Sequence, residues 1–177
     1  MAGSAPSRKA EPRPPRVEEL SALPRIEQRA GELLRGHEAY PVFAGHGLEL
    51  PTLQAGLRRG QLWIIEGADG GIAGYLLGDA LDGDFHVLQM DVDPNHARRG
   101  YGRALLQHAL AEAKALGYPA AVLTTLSDVP WNAAFYASEG FTLLPEPEWN
   151  AGLRGVMAEE AALGFPMHLR VAMRRVL

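Results

Sequence analysis

The sequence predicts an α/β domain built on a mixed β-sheet, and three observations carry that prediction. Two hairpin signals, Gly67-Ala68-Asp69-Gly70-Gly71 and Asp82-Gly83, separate apolar runs at Gln61–Glu66, Ile72–Leu77 and Phe85–Val92. Three strands therefore follow one another in meander order. The third run passes through a turn at Asp93-Pro94-Asn95 and the glycine-punctuated Arg98-Arg99-Gly100-Tyr101-Gly102 into a helix. A fourth strand at Ala120–Thr125 is then expected parallel to the Phe85 strand across a right-handed crossover, which makes the sheet mixed.

The remaining elements follow in order. Residues 1–16 are rich in Pro, Ser, Ala and Arg and read as a flexible arm. Residues 17–177 form the domain, with no internal repeat and no plausible boundary inside it. Leu20, Leu23, Ile26, Leu33 and Leu34 predict an amphipathic helix over Val17–Arg35, bent near Pro24 and stopped by Gly36. His37–Glu49 reads as a loop. A second helix is expected over Pro51–Arg59, with proline in its first turn and Gly60 past its end. The helix after the glycines runs to about Leu116, carrying Leu105, Leu106, Ala109, Leu110 and Ala113 on one face, and Gly117 ends it. Pro130–Ser138 reads as a helix and Phe141–Leu144 as a strand. An insertion from Pro145 to Phe165 holds a helical stretch near Leu153–Leu163, and Leu169–Val176 is the last strand.

Composition bounds the function. The chain has 177 residues, 47% hydrophobic and 21% charged, enough for a real core. No run approaches the ~20 apolar residues of a membrane span, and the basic N-terminus lacks the apolar stretch of a secretory signal. Cysteine is absent, which removes disulfides, thiolate metal sites and cysteine nucleophiles and fits a cytoplasmic location. The histidines His37, His46, His96, His108 and His168 show no metal-ligand spacing, so no metal is expected. A net charge of −4 argues against a nucleic-acid partner and mildly favours a cationic one.

A strand, a glycine-rich turn and a helix N-terminus together make an anion site, because the first helical N–H groups lack intrahelical partners and the helix dipole favours negative charge. Arg98, Arg99 and Arg103 add charge-assisted donors. A dinucleotide fingerprint would need glycine where Leu105 stands, and a P-loop would need Lys and Ser or Thr where Arg103 and Ala104 stand. What remains is Arg-x-Gly-x-Gly-x-Ala, Arg98 to Ala104. This stretch resembles the pyrophosphate-binding motif of the GNAT superfamily of N-acetyltransferases, Gln/Arg-x-x-Gly-x-Gly/Ala. The chain departs from it at the first position, where Ala97 stands; the backbone donors survive, and Arg98 is expected to substitute.

A second motif strengthens the resemblance. Asn132-x-x-x-Tyr136-x-x-x-Gly140-Phe141 is similar to a GNAT segment in which the Asn contacts the pantetheine arm of CoA and the Tyr faces the thioester sulfur. The resemblance covers roughly residues 60 to 144. It implies the GNAT fold, a mostly antiparallel central sheet with helices on both faces, and it suggests Lys9–Arg13 as a short first edge strand. It implies acetyl-CoA as co-substrate, held by Met90, Asp91, Val92, Arg98, Arg99, Gly100, Tyr101, Gly102, Arg103, Ala104 and Asn132, with a backbone N–H near Met90 or Asp91 as oxyanion donor. Tyr136 becomes the expected acid for the leaving thiolate.

The amine must lose its proton before it attacks. His86 is the preferred base: it lies eleven residues before Ala97, where the histone-acetylating branch of the superfamily carries a catalytic Glu, and neutral imidazole can accept a proton near pH 7. Water is the alternative acceptor, with Glu66, Asp79 and Asp91 in reserve. Thr124, Thr125, Asp128 and Trp131 cluster beyond a strand end and are expected to meet the acceptor, Asp128 by pairing and Trp131 by stacking; Asp128 equally suits a helix cap. A small-molecule primary amine is the expected acceptor, with a protein or peptide N-terminus, or a noncatalytic acyl-CoA-binding module, as the rivals. The resemblance also suggests a homodimer.

Overall fold

The structure is a computed structural model of the chain and describes residues 10–177. The hairpins form as their turn residues require. Asp82 and Gly83 adopt φ of 48° and 86°, the two left-handed positions of a tight hairpin. Strands β1 (Leu62–Glu66), β2 (Ile72–Leu81) and β3 (Asp84–Val92) are joined antiparallel. Strands β4 (Ala120–Leu126), β5 (Thr142–Leu143) and β6 (Arg170–Val176) complete a six-stranded sheet in the order β1-β2-β3-β4-β6-β5. Only the β3–β4 pairing is parallel, so the sheet is mixed and mostly antiparallel.

Two irregularities in β3 build the site. Its register against β2 slips between Leu77↔Gln89 and Gly78↔Val87, which makes Leu88 the extra residue of a bulge. Side chains change face across that bulge: Phe85, Val87 and Met90 join one core, whereas Leu88 packs on the other side and Asp91 bonds to Tyr75 there. The second irregularity is a divergence. β3 and β4 pair only at Phe85↔Ala121 and His86↔Val122, so β3 beyond His86 presents an unpaired backbone edge.

Helices cover both faces. Helix α1 (Leu23–Gly31) and helix α3 (Leu50–Arg58) lie against one, with the short α2 (Tyr40–Gly45) between them in sequence. Helix α4 (Tyr101–Ala115) lies on the other and buries Leu105, Leu106, Ala109, Leu110 and Ala113 with Trp63, Ile65 and Phe85. Each fully buried Leu there contributes about 1.5–3 kcal/mol. The short α5 (Ala133–Ser138) and α6 (Ala151–Leu163) precede β5 and β6 respectively. Asn150 caps α6 through Leu153 N–H at 2.9 Å.

Several expectations change. The single helix over Val17–Arg35 is three pieces, a 3₁₀ turn Val17–Ala22, α1 and a second 3₁₀ turn Glu32–Leu34. Pro24, with no N–H to donate, sits in the first turn of α1, where that loss costs nothing. Leu33, expected on the apolar face, is 51% exposed. The loop at 37–49 contains α2, started by Pro41. The helix expected from Pro130 begins at Ala133, because Asn132 has φ −107° and ψ −101° and cannot join it. Of the edge strand expected over Lys9–Arg13, Lys9 lies outside the described residues. Arg13 alone bridges to β1, exchanging N–H and C=O with Ile64 at 2.9 and 2.8 Å. Among the described residues no helix is long and apolar enough to cross a membrane.

Candidate active site

The turn from β3 to α4 is organised by its backbone. Asp93 opens it: Oδ1 accepts from Asn95 N at 3.0 Å, and Oδ2 accepts from Arg29 Nε of α1 at 2.9 Å. Burial works against the Asp93 charge, but Arg29 and the Asn95 N–H hold its carboxyl below the ordinary range. Arg98 and Gly100 then take left-handed φ of 60° and 79° and swing the chain into α4. Ala104 N–H is the first amide to bond back, to Gly100 O at 3.0 Å, which leaves those of Tyr101, Gly102 and Arg103 for a ligand. A Cβ on Gly102 would sit 3.5 Å from Val92, an ordinary contact. Arg98 and Arg99 are exposed and have no protein partner among the described residues, while Arg103 donates to Glu139, which also accepts from Gln107 at 3.1 Å. Met90 and Val92 lie on the unpaired stretch of β3 beside this turn, and Ala104 packs against the core below.

Tyr136 comes from the other side of the divergence. It is 9% exposed, its ring packed edge-on to Phe135 and Phe141 at 5.2 and 5.8 Å. Its hydroxyl has no hydrogen-bond partner among the described residues. Burial, with Asp91, pushes the phenol up, and Arg170 partly offsets this, so the hydroxyl holds its proton at neutral pH. Asn132 stands one turn earlier, and its side-chain amide likewise has no partner among the described residues; its carbonyl accepts from Tyr136 N at 3.1 Å. Met90 of the open strand edge and Tyr101 and Ala104 of the anion cradle pack against the core cluster that holds Tyr136, so the three features adjoin across the β3–β4 divergence.

His86 is not brought to this cleft. It is 3% exposed at the closed end of the divergence, with Nδ1 2.9 Å from Asp79 Oδ1. Asp91 lies five residues further along β3, roughly 16 Å at ~3.3 Å per residue. The acceptor residues also scatter. Thr125 is buried opposite Val171 of β6. Asp128 caps no helix and lies 2.9 Å from His37 Nε2, and Trp131 stands 52% exposed on the rim. Thr124 accepts from Arg170 at 3.0 Å and donates to Glu160 at 2.6 Å.

The groups that the sequence reading missed lie on the acceptor side. Glu27 of α1 accepts from Leu48 N–H at 2.8 Å through Oε2. Burial pushes its carboxyl up to about 7 against that hydrogen bond, with Asp91 adding to the rise. Asp91 is raised too, mainly by burial, although Gln89 and Tyr75 donate to its Oδ2 at 2.7 and 2.9 Å. Arg170 donates to both oxygens of Glu160 and stacks on Phe165 at 4.5 Å. No local pattern marks Glu27; it sits on a helix with other exposed charges.

Comparison with known proteins decides the family. The sequence model of the acetyltransferase (GNAT) domain matches residues 58–143, the stretch from the end of α3 to β5 that holds the anion turn and Tyr136. Residues 58–143 carry a GNAT acetyltransferase domain. Its fold is similar to that of the PaiA N-acetyltransferase from Thermoplasma acidophilum in complex with coenzyme A, with a TM-score of 0.69 and 15% identity over 96% of this chain and 99% of that one. Similar too are Rv2747 from Mycobacterium tuberculosis with CoA (TM-score 0.67, 20% identity, 94% and 98% covered) and the ribosomal-protein-S18-alanine N-acetyltransferase from Escherichia coli (TM-score 0.64, 17% identity, 95% and 94% covered). At these identities the likeness establishes a shared GNAT fold. The arginine-glycine turn and the diverging strands are the parts of this GNAT domain that suit an acyl-CoA.

Proposed function

We propose that this protein is an acetyl-CoA-dependent N-acetyltransferase that moves the acetyl group to a primary amine of a small molecule by direct attack in a ternary complex. One observation carries the reading: the free amides of Tyr101, Gly102 and Arg103 follow the strand that parts from β4, and Tyr136, its hydroxyl unpartnered among the described residues, lies in the core cluster against which Met90 and Tyr101 pack. CoA pyrophosphate suits the amides and the side chains of Arg98 and Arg99. The thioester would then lie along the open edge at Met90–Val92, where strand amides receive the carbonyl oxygen as it becomes anionic. Tyr136 donates its proton to the leaving thiolate, and Asn132 orients the pantetheine arm.

A small acceptor is favoured by what covers the far end of the cleft. Phe43 of α2 meets Phe165, just after α6, edge-on at 5.3 Å. Leu34, Ala39, Leu126 and Val129 pack together beside them, so the α1–α2 region lies across the end of β4. A polypeptide acceptor would need that end open. The test is thiol release from acetyl-CoA across polyamines, arylalkylamines, aminoglycosides, amino acids and short peptides. Release with one small-amine class is expected; release with peptides alone would move the assignment to a protein N-terminus, and tight acetyl-CoA binding without turnover would leave a noncatalytic module.

A further inference from the structure

Resting on that reading, we infer that Glu27 and Asp91 form the pocket for the acceptor's amine, Asp91 holding it as an ammonium and Glu27 taking the proton that frees its lone pair. The hydrogen bonds explain the division of labour. Each carboxylate has one oxygen held by the protein: Oε2 of Glu27 by Leu48 N–H, and Oδ2 of Asp91 by Tyr75 and Gln89. The other oxygens, Oε1 and Oδ1, have no donor among the described residues. Held on one side and free on the other, both carboxylates are oriented for a ligand.

Charge makes the same case. Two half-buried carboxylates without a counter-ion are costly, and the nearby arginine of α1, Arg29, is engaged on Asp93. A cation is the ligand that such a pair lacks. Tyr136, from α5, lies in the core cluster against which Met90 packs, and Met90 directly precedes Asp91 on β3, which places the pocket near the proposed acid. Tyr75 of β2 is the other titratable group facing the pair, donating its hydroxyl to Asp91. The rise of Glu27 to about 7 suits a group that must accept and release a proton near neutrality.

The step balances. The ammonium gives one proton to Glu27, and the neutral nitrogen attacks the thioester carbon, forming the N–C bond and an oxyanion. Collapse breaks the C–S bond, and the thiolate takes the proton of Tyr136. The nitrogen's second proton restores Tyr136, and Glu27 releases its own to solvent. The products are an amide, CoA thiol and one proton.

The experiment uses the full chain with CoA bound and reads binding of n-butylamine against the uncharged n-butanol by NMR, at about pH 8 where Glu27 is ionised. The amine should bind roughly tenfold or more tightly than the alcohol, and E27Q and D91N should each remove most of that preference, E27Q while leaving CoA affinity unchanged. The Glu27 carboxyl carbon should titrate near 7 and shift downward when the amine is present. Equal binding of amine and alcohol, or a preference kept in both variants, overturns the pocket. Thiol release separates this from the wider reading. A wild type that keeps the preference but acetylates no amine removes the transferase assignment and Glu27's proton role, while the ammonium pocket stands. An E27Q enzyme with an unaltered pH profile removes Glu27 as proton acceptor.

Discussion

The two halves of the cleft are built in opposite ways. On the cofactor side, the β3–α4 turn offers backbone amides and exposed arginines from a contiguous run, residues 98–103. On the acceptor side, the polar groups come from separate elements, Glu27 of α1 on Leu48, Asp91 of β3 on Tyr75 of β2, and Arg170 of β6 on Glu160 of α6, each half-buried or buried and tied by hydrogen bonds. A site of the first kind binds a group that many proteins share, and one tight turn suffices. The second kind is assembled by tertiary packing and sets what is particular to this chain.

The comparison can be broken most sharply at Gly102. Its Cβ would make only ordinary contacts, so Gly102→Glu should fold, yet its carboxylate would face the pyrophosphate and lower acetyl-CoA affinity by about 100-fold or more. Calorimetry would read this, and retained affinity would refute the phosphate site. Tyr136→Phe comes next. Turnover should fall on the order of 100-fold with CoA affinity unchanged, because the hydroxyl makes no hydrogen bond among the described residues and the ring stays packed.

Arg29→Ala tests the link between the halves. It leaves the buried Asp93 carboxylate without its cation, and the midpoint of denaturant unfolding should drop by a margin worth about 1–2 kcal/mol. Unchanged stability would make the pair superficial. Glu27→Gln has a smaller, pH-shaped effect. The Glu27 carboxyl is raised to about 7, so its contribution to stability is full below the ordinary carboxylate range and is lost as pH rises through about 7. The variant should therefore gain in melting temperature over wild type as pH rises across that window, and a pH-independent difference would contradict the burial of Glu27. Smallest is Arg98→Ala, expected to weaken CoA only a few-fold and to flatten the salt dependence of binding, since an exposed arginine is well screened.

These differences also explain what could be read from the letters. Strand meander, crossover and anion turn follow from local signals, Asp82-Gly83 and Gly100 among them, and each appears in place. Tyr136 is singled out by its fixed offset from Asn132, and the structure buries its ring between Phe135 and Phe141. Where periodicity was the only guide, proline decided the outcome: Pro24 divided a helix, and Pro41 began one inside an expected loop. His86 illustrates the limit of spacing along a strand. Position predicts which residue is near the motif in sequence, but the β3–β4 separation starts only after His86, and the bulge at Leu88 then turns Asp91 toward Tyr75. Glu27 had no signal at all, since its neighbours Leu48 and Asp91 are 21 and 64 positions away.

The pairing of Arg29 with Asp93 carries a thermodynamic consequence. Arg29 grips the first residue of the phosphate turn from the same helix that presents Glu27, two positions earlier. Seating the cofactor and seating the amine therefore draw on one shared mechanical element. Whatever factor acetyl-CoA applies to the amine's dissociation constant, the amine must return to acetyl-CoA, and cutting the Arg29 tie should shrink both factors together.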